Sequence, residues 1–441
     1  MKIAHLVGWY FPDSVGGTEV YVEGLCRRLQ EAGHEVLIAA PDPRATLPQK
    51  YEYHGVPIFR YPITDHPTKD EAYHRVAMPG VAHFFRWLAD ERPDVLHVHS
   101  IKTGTGLPEF REARRLGIRI IATCHLPSLG YLCRTGELME AGKHPCDGIV
   151  WPAKCAACSL THVGLAPLLS RAAGAIPPSV GTVLRAVPGK AGTVLGMSAL
   201  IVEYQRMQRE LFEIVERFVV LNDTAYRMLV ADGSPKDKIA VNRLGLSQSG
   251  VTRKPGPGDR PTKKPVHFGF AGRLHTSKGV VEIVRAALAI PRSVDFRIDI
   301  RAPVLDAGAR AIDAELRRIA GDDPRVHFLP AVTSAEIPAV LTELDALLSP
   351  SRWFENGPTI ALEAIAVGTP IIATRVGNLA EIVEDGVSGR LVEAGNVQEL
   401  SAAILEAATD PHKTIDVWRR GLLPVRSMDD IARDYMTMYA A

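Results

Sequence analysis

Short apolar runs alternate with helical stretches along the whole chain, and the alternation restarts once; no other feature limits the possible folds as strongly. Lys2 to Val7 reads as a first buried strand. Thr18 to Ala32 reads as a helix, with Tyr21, Val22, Leu25 and Leu29 at helical spacing and Gly33 as its stop. Gly16-Gly17 is the expected turn between them. Val36 to Ala40, Asp94 to His99 and Ile118 to Thr123 follow as short apolar runs bounded by turns, the mark of parallel strands buried on both faces. Arg217 to Leu221 and a helix through Tyr226 to Val230 complete this half. Residues 247–264 are then rich in Gly, Pro, Lys and Arg and read as a linker. Beyond it the pattern resumes: strands at Val266 to Phe270, Phe296 to Ile300, Val326 to Phe328, Ala346 to Leu348 and Pro370 to Thr374, with helices at Gly279 to Leu288 and Thr359 to Val367.

The expected fold class is therefore α/β, with two facing Rossmann-like domains, 1–246 and 265–424, and ligands held where the strand C-termini of both domains meet. A last helix within 425–441, from about Ser427 to Tyr439, opens with a Ser-x-x-Asp cap and is expected to cross back onto the first domain. With 441 residues, 46% of them hydrophobic, the chain has material for two cores. Fifty-one basic residues against fifty acidic ones leave a formal charge of +1, so no overall field draws the molecule to nucleic acid. The opening MKIAHLVGWYFP is broken too early by Pro12 and Asp13 for a signal peptide, and no apolar run reaches membrane-spanning length. The expected location is the cytoplasm.

The chemistry concentrates in the second half. In SPSRWFENGPTIALEAIAVGTP, Asn356-Gly357-Pro358 makes a turn into a helix, with Pro358 suited to its first position. The unpaired N–H groups of a helix start favour a phosphate. Glu363 lies roughly 6 Å further along the axis, at about 1.5 Å per residue, where a carboxylate can accept hydrogen bonds from a vicinal diol. Glu355, in the loop, reaches another part of the same ligand. Upstream, GFAGRLHTSKG places Arg273 just after a strand and Lys278 just before a helix, two cations at one strand end that form a diphosphate clamp.

The set GR-x4-KG, then E-x7-E in GPTIALEA, then GTPIIATRVG resembles the retaining glycosyltransferases of family four, which have the GT-B fold. The resemblance extends to GGTEVYVEGLCRRLQEAGHEV, DVLHVH and RFVVLN, and covers nearly the whole chain outside Ser159 to Val202. It implies that Arg273 and Lys278 bind the donor diphosphate and stabilise the leaving group's charge, and that Glu363 holds the nucleotide ribose. It further implies that Glu355 contacts the donor sugar beside the backbone of Asn356, Gly357, Pro358 and Thr359. Gly16 and Gly17 then let the first domain approach the phosphates. Such enzymes keep the sugar's anomeric configuration and need no catalytic metal. The implied partners are a nucleotide diphosphate sugar and an acceptor, a lipid-linked saccharide for a cell-surface polysaccharide in one reading and a small secondary metabolite in another. The base is read near Phe328 to Ala331, mostly by backbone groups. His125 ends the strand ATCH where the family often carries His-Asp and uses the histidine near the donor sugar. Here Leu126 follows, so the proton-relay pair is absent while a site role for His125 stands. His97 and His99 read as structural. A non-catalytic nucleotide-sugar binder is the alternative from another class, and the retained Arg273, Lys278, Glu355 and Glu363 count against it.

Two features fall outside this pattern, both within an insertion at 126–210. Cys133, Cys146, Cys155 and Cys158 give C-x12-C-x8-C-x2-C, suited to a closed tetrahedral site. Zinc is the expected ion, with an iron–sulfur cluster as the alternative, in a structural role that shapes the acceptor entrance. Cys26 and Cys124 read as small buried hydrophobes. Ser159 to Val202 is apolar, broken by prolines and glycines, and carries Arg171, Arg185 and Lys190. It reads either as an irregular helical insertion or as a face that touches a membrane or lipid acceptor.

Overall fold

The computed structural model describes residues 1–13, 16–99, 101–246 and 265–441. The expected linker, 247–264, lies outside the described residues. The chain divides into two compact units. One gathers Met1–Ala141, residues 146–246 and Met428–Ala441; the other gathers Gly142–Pro145 and residues 265–427.

The first unit is built on strands β1 (Lys2–Leu6), β2 (Glu35–Asp42), β3 (Gln49–Tyr53), β4 (Val56–Pro62), β5 (Val95–Val98), β6 (Arg119–Thr123), β7 (Arg217–Val220) and β8 (Ile239–Val241). Their order across the sheet is β8-β7-β6-β5-β1-β2-β4-β3. Seven are parallel, because each crossover is long enough to return the chain to the same edge. β3 alone is antiparallel, paired to β4 through His54 and Gly55, both at positive φ (48° and 77°). That hairpin was not among the expected elements. Helix α1 (Gly17–Glu31) begins directly at Gly16, which is extended at φ −137° and serves as N-cap, so the two glycines form the helix start. Helix α9 (Met428–Ala440) belongs to this unit and packs on α1. Its Tyr435 and Tyr439 are fully buried, Tyr435 shares a 3.1 Å hydrogen bond with Tyr21, and Arg28 pairs with Asp429 at 2.8 Å.

The region that broke the expected pattern is a series of helices joined by short turns. It comprises α2 (Pro152–His162), α3 (Pro167–Gly174), α4 (Pro178–Leu184), α5 (Gly189–Leu195) and α6 (Met197–Ile214). Of the prolines that interrupt the apolar run, Pro167 and Pro178 sit at the first positions of α3 and α4, where their missing N–H costs nothing, and Pro177 and Pro188 are the N-caps of α4 and α5. Ala156, Leu160, Ala173, Met197, Leu200 and Ile201 form a small core of their own.

The second unit carries β9 (Val266–Ala271), β10 (Phe296–Arg301), β11 (Val326–Leu329), β12 (Ala346–Ser349), β13 (Ile371–Thr374) and β14 (Gly389–Val392), ordered β11-β10-β9-β12-β13-β14 and parallel throughout. Helix α7 (Val280–Ala289) buries Val280, Ile283, Val284 and Ala287 against Phe268, Phe296 and Ile298 of the sheet. The direction of winding reverses between β9 and β12. In an open parallel sheet such a switch point leaves a crevice at the strand C-termini, because the two following loops turn away from each other.

Candidate active site

The loops after β9 and β12 carry the residues that the second-half motifs single out. The segment after β9 runs through Arg273 into a short turn, Thr276–Lys278, before α7; the segment after β12 runs from Pro350 to Pro358 before α8 (Thr359–Val367). Gly279 lets them meet. Its φ is +69°, and a Cβ there would stand 1.9 Å from the Pro350 carbonyl oxygen. Arg352 N–H then donates to the Ser277 carbonyl at 2.7 Å.

Lys278 and Glu355 are brought into direct contact, Nζ to Oε1 at 2.6 Å. Ser351 Oγ and Trp353 Nε1, the latter at 3.1 Å, donate to the same Oε1. All three contacts load one oxygen, so Oε2 has no protein partner among the described residues and is the atom available to a ligand. Glu355 is buried, and its main chain is anchored too: Asn378 N–H donates to its carbonyl at 2.7 Å, beside Gly377 at φ +58°, where a Cβ would lie 2.5 Å from that carbonyl. The downstream glycine motif thus shapes the Glu355 loop. Arg273 is exposed and makes no hydrogen bond or ion pair among the described residues, so it and Glu363 do not join the Lys278–Glu355 contact. Helix α8 has the expected bounds, but Pro358 precedes it rather than taking its first position. Pro358 is its N-cap, Thr359 its first residue, and no side chain caps it, which leaves N–H groups for an anion.

Glu363 lies in α8 with no partner among the described residues, and burial raises its pKa to about 7 from an ordinary 4.5. Between those values the folded chain holds a proton that the unfolded chain has lost. The stability this contributes is therefore present below pH 4.5 and is lost as pH rises to 7. Glu363→Gln should stabilise the ligand-free protein at pH 8 by up to about 3 kcal/mol, at 1.36 kcal/mol per unit, and should have little effect at pH 4.5. Equal melting temperatures at pH 8 would show that the carboxylate is not held in a desolvated pocket.

In the first unit, His125 follows β6, partly buried, with its ring 4.8 Å from that of Tyr21. Its Nε2 lies 3.2 Å from His99 Nδ1. Sequence reading treated His99 as structural and missed this contact; the H-x-H spacing of β5, which points both rings to one face, was the available signal. Lys102 was also missed. Its ammonium sits 3.4 Å from the Trp9 ring centroid, has no hydrogen-bond partner among the described residues, and is pulled by burial to a pKa of about 7. His5, His97 and His99 hold ring nitrogens within 4.8 Å of one another. Five of those six nitrogens already have hydrogen-bond partners, so hydrogen bonding accounts for the trio.

Cys133, Cys146, Cys155 and Cys158 line a single cavity of about 40 Å³, together with Leu138, Met139 and Ile201. Burial, with the neighbouring thiols adding to it, pushes Cys155 up to about 12. Ala141 N–H donates to Cys158 Sγ at 3.2 Å. The spacing of the four cysteines led to an expected closed four-thiolate cluster. Among the described residues no three of these sulfurs converge within 4.8 Å; the four share a cavity without forming a closed shell. Cys26 and Cys124 are buried as expected.

The chain is thus built of two doubly wound α/β units, one with a cation–carboxylate contact at its switch point and an uncapped helix start beside it. Residues 16–245 match the glycosyl transferase 4-like domain and residues 265–410 match glycosyl transferases group 1. The chain belongs to this glycosyltransferase family and has the GT-B type of fold, two Rossmann-like domains. Among curated relatives, D-inositol 3-phosphate glycosyltransferase of Pseudarthrobacter chlorophenolicus is 35% identical over 156 residues, covering 35% of this chain and 37% of that one. The enzyme of that name from Mycobacterium marinum is 32% identical over 202 residues, 41% and 42% of the two chains. A putative colanic acid biosynthesis glycosyltransferase of Salmonella typhimurium is 26% identical over 63% of this chain and 66% of its own. The chain thus spans well under half the length of the first two. Similar solved structures include sucrose-phosphate synthase of Thermosynechococcus elongatus (TM-score 0.67, 16% identity, 100% and 98% covered) and Anabaena HepE in complex with UDP-glucose (0.61, 14%, 99% and 100%).

Proposed function

We propose that the protein is a retaining glycosyltransferase that takes its sugar from a nucleotide diphosphate sugar. The observation that carries the reading is the Lys278–Glu355 contact at the switch point, with Arg273 in the preceding loop making no ion pair among the described residues and the start of α8 uncapped. Arg273 and Lys278 neutralise the diphosphate and the charge that grows on it as the glycosidic bond breaks. With two cations and a helix start in those places, the reaction needs no divalent ion. Glu355 Oε2 accepts from a hydroxyl of the sugar, and Glu363 accepts from the ribose diol. Asn356, Gly357, Pro358 and Thr359 line the same ligand, and Gly16 and Gly17 leave the backbone at the start of α1 open to a phosphate. His125 contacts the transferred sugar. The UDP and UDP-glucose complexes of the HepE structures support a donor of this class. Calorimetric titration with UDP, GDP and ADP against the matching nucleosides tests this: at least one diphosphate should bind, and its nucleoside should not. Equal affinity for the two would remove the diphosphate clamp.

The acceptor we propose is a lipid-linked saccharide. Val163, Leu168, Leu169 and Val183 of the helical insertion are exposed together with Arg171 and Lys190, a composition that suits an interface with anionic lipid. No helix among the described residues is long and apolar enough to cross a membrane. Peripheral contact therefore has to come from such a face. The double substitution Leu168→Ser, Leu169→Ser should abolish sedimentation with phosphatidylglycerol vesicles, and undiminished sedimentation would exclude this surface.

We propose further that the cysteine cavity holds a structural zinc ion. The residues fit in kind, four thiols around one small cavity, with an N–H of the kind that supports a metal-bound sulfur already aimed at Cys158. An iron–sulfur cluster is the alternative for the same four residues.

A further inference from the structure

Buried beneath the strand ends of the first unit is an unbroken line of three imidazoles. His5 Nδ1 lies 2.9 Å from His99 Nε2, and His99 Nδ1 lies 3.2 Å from His125 Nε2. The line is clamped from the side. His97 packs its ring 3.9 Å from that of His99 and is itself fixed by Tyr439 at 2.6 Å and Thr123 at 2.7 Å; Thr123 bonds Tyr435 at 2.7 Å. At the far end, His5 Nε2 is buried and has no partner among the described residues.

A neutral imidazole carries one proton, so the line runs in one of two directions. If His125 donates inward, His99 donates to His5, and His5 must carry its proton on Nε2, leaving an N–H orphaned in the core. If His5 donates outward, the orphan at Nε2 is a bare lone pair. Orphaned buried N–H groups are the rarer of the two. The outward direction places the proton of His99 on Nδ1, so that His125 accepts at Nε2 and carries its own proton on Nδ1. Burial keeps His5 and His125 neutral, with pKa values lowered to about 3.

We infer that His99, backed by His5, is a positioning residue that fixes His125 as the Nδ1–H tautomer and so makes it a hydrogen-bond donor to the transferred sugar. This rests on the reading of His125 as the sugar contact. The histidine line orients the His125 ring from inside the sheet.

The test is the tautomer of His125 in the full chain, read from long-range proton–nitrogen correlations with isotope-labelled histidine and assigned with His125→Gln. The wild type should show Nδ1–H, against the Nε2–H form that free imidazole prefers in water. His99→Asn, whose amide N–H stands near the position of Nδ1–H, should keep it. His99→Leu should revert it and lower kcat by about 10²-fold with KM little changed. An Nε2–H His125 in the wild type overturns the inference without requiring any His99 variant to fold, as does an unchanged tautomer in His99→Leu. Normal kcat in His125→Gln would instead remove the sugar-contact reading, an outcome separable from the tautomer measurement.

Discussion

Replacing Arg273 by alanine is expected to lower kcat by about 10² to 10³-fold, the cost of removing one preorganised charge from a developing anion, while the melting temperature stays where it is. Both halves follow from its surroundings. The side chain is exposed and makes no hydrogen bond or ion pair among the described residues, so folding gains nothing from it. Lys278 is the contrasting case. Its ammonium is bonded to the buried Glu355 carboxylate, and Lys278→Ala would leave that charge with only Ser351 and Trp353 as donors. A drop in activity there mixes lost catalysis with lost stability. Arg273 separates them, since a cation with no structural task that is nevertheless required can only be serving a ligand. Steady-state kinetics with a thermal melt on the same sample reads both, and unchanged kcat would take Arg273 out of the site.

The double substitution Cys155→Ser, Cys158→Ser is expected to strip bound zinc and to cost about 4 kcal/mol, the linkage contribution of a metal held at a thousandfold excess over its dissociation constant. Cys155 and Cys158 lie nearly one turn apart on α2, while Cys133 and Cys146 sit in stretches with little regular structure. Burial raises the Cys146, Cys155 and Cys158 thiols, Cys155 up to about 12, so without a cation these three contribute only as small apolar groups. A metal would displace the protons and draw the four sulfurs together. Elemental analysis of the wild type decides between zinc and iron. Metal-free wild type together with full stability of the double variant would leave the cavity as plain core.

The second unit was the more legible half of the chain. Its central strands β9, β12 and β13 are largely buried and read as continuous apolar runs, and Thr359 to Val367 was located to the residue because Pro358 and Gly368 bound it. β14, with Gly389 and Arg390 in four residues, has too little apolar content to stand out. The β3–β4 hairpin escaped because Tyr51 and Tyr53 alternate with charged neighbours at the sheet edge, where exposure weakens the hydrophobic signal. In the site, residue types at motif spacing were readable, but pairing was not. Nothing in E-x7-E says that Lys278 loads the same oxygen of Glu355 as its loop neighbours Ser351 and Trp353, since that contact depends on the approach of two loops 77 residues apart in the chain. The role of His99 was hidden for the same reason. Its partners His5 and His125 come from other strands, and only sheet order brings them together.

The central claim is that a sugar leaves a nucleotide diphosphate at the site of Lys278, Glu355 and Arg273. Incubating the protein with a panel of nucleotide sugars, and following nucleoside diphosphate release in the wild type and in Arg273→Ala, tests it most directly. Release from at least one donor by the wild type, falling by about two orders of magnitude or more in the variant, is the predicted result. Equal release by both proteins, or none from any donor, would contradict it.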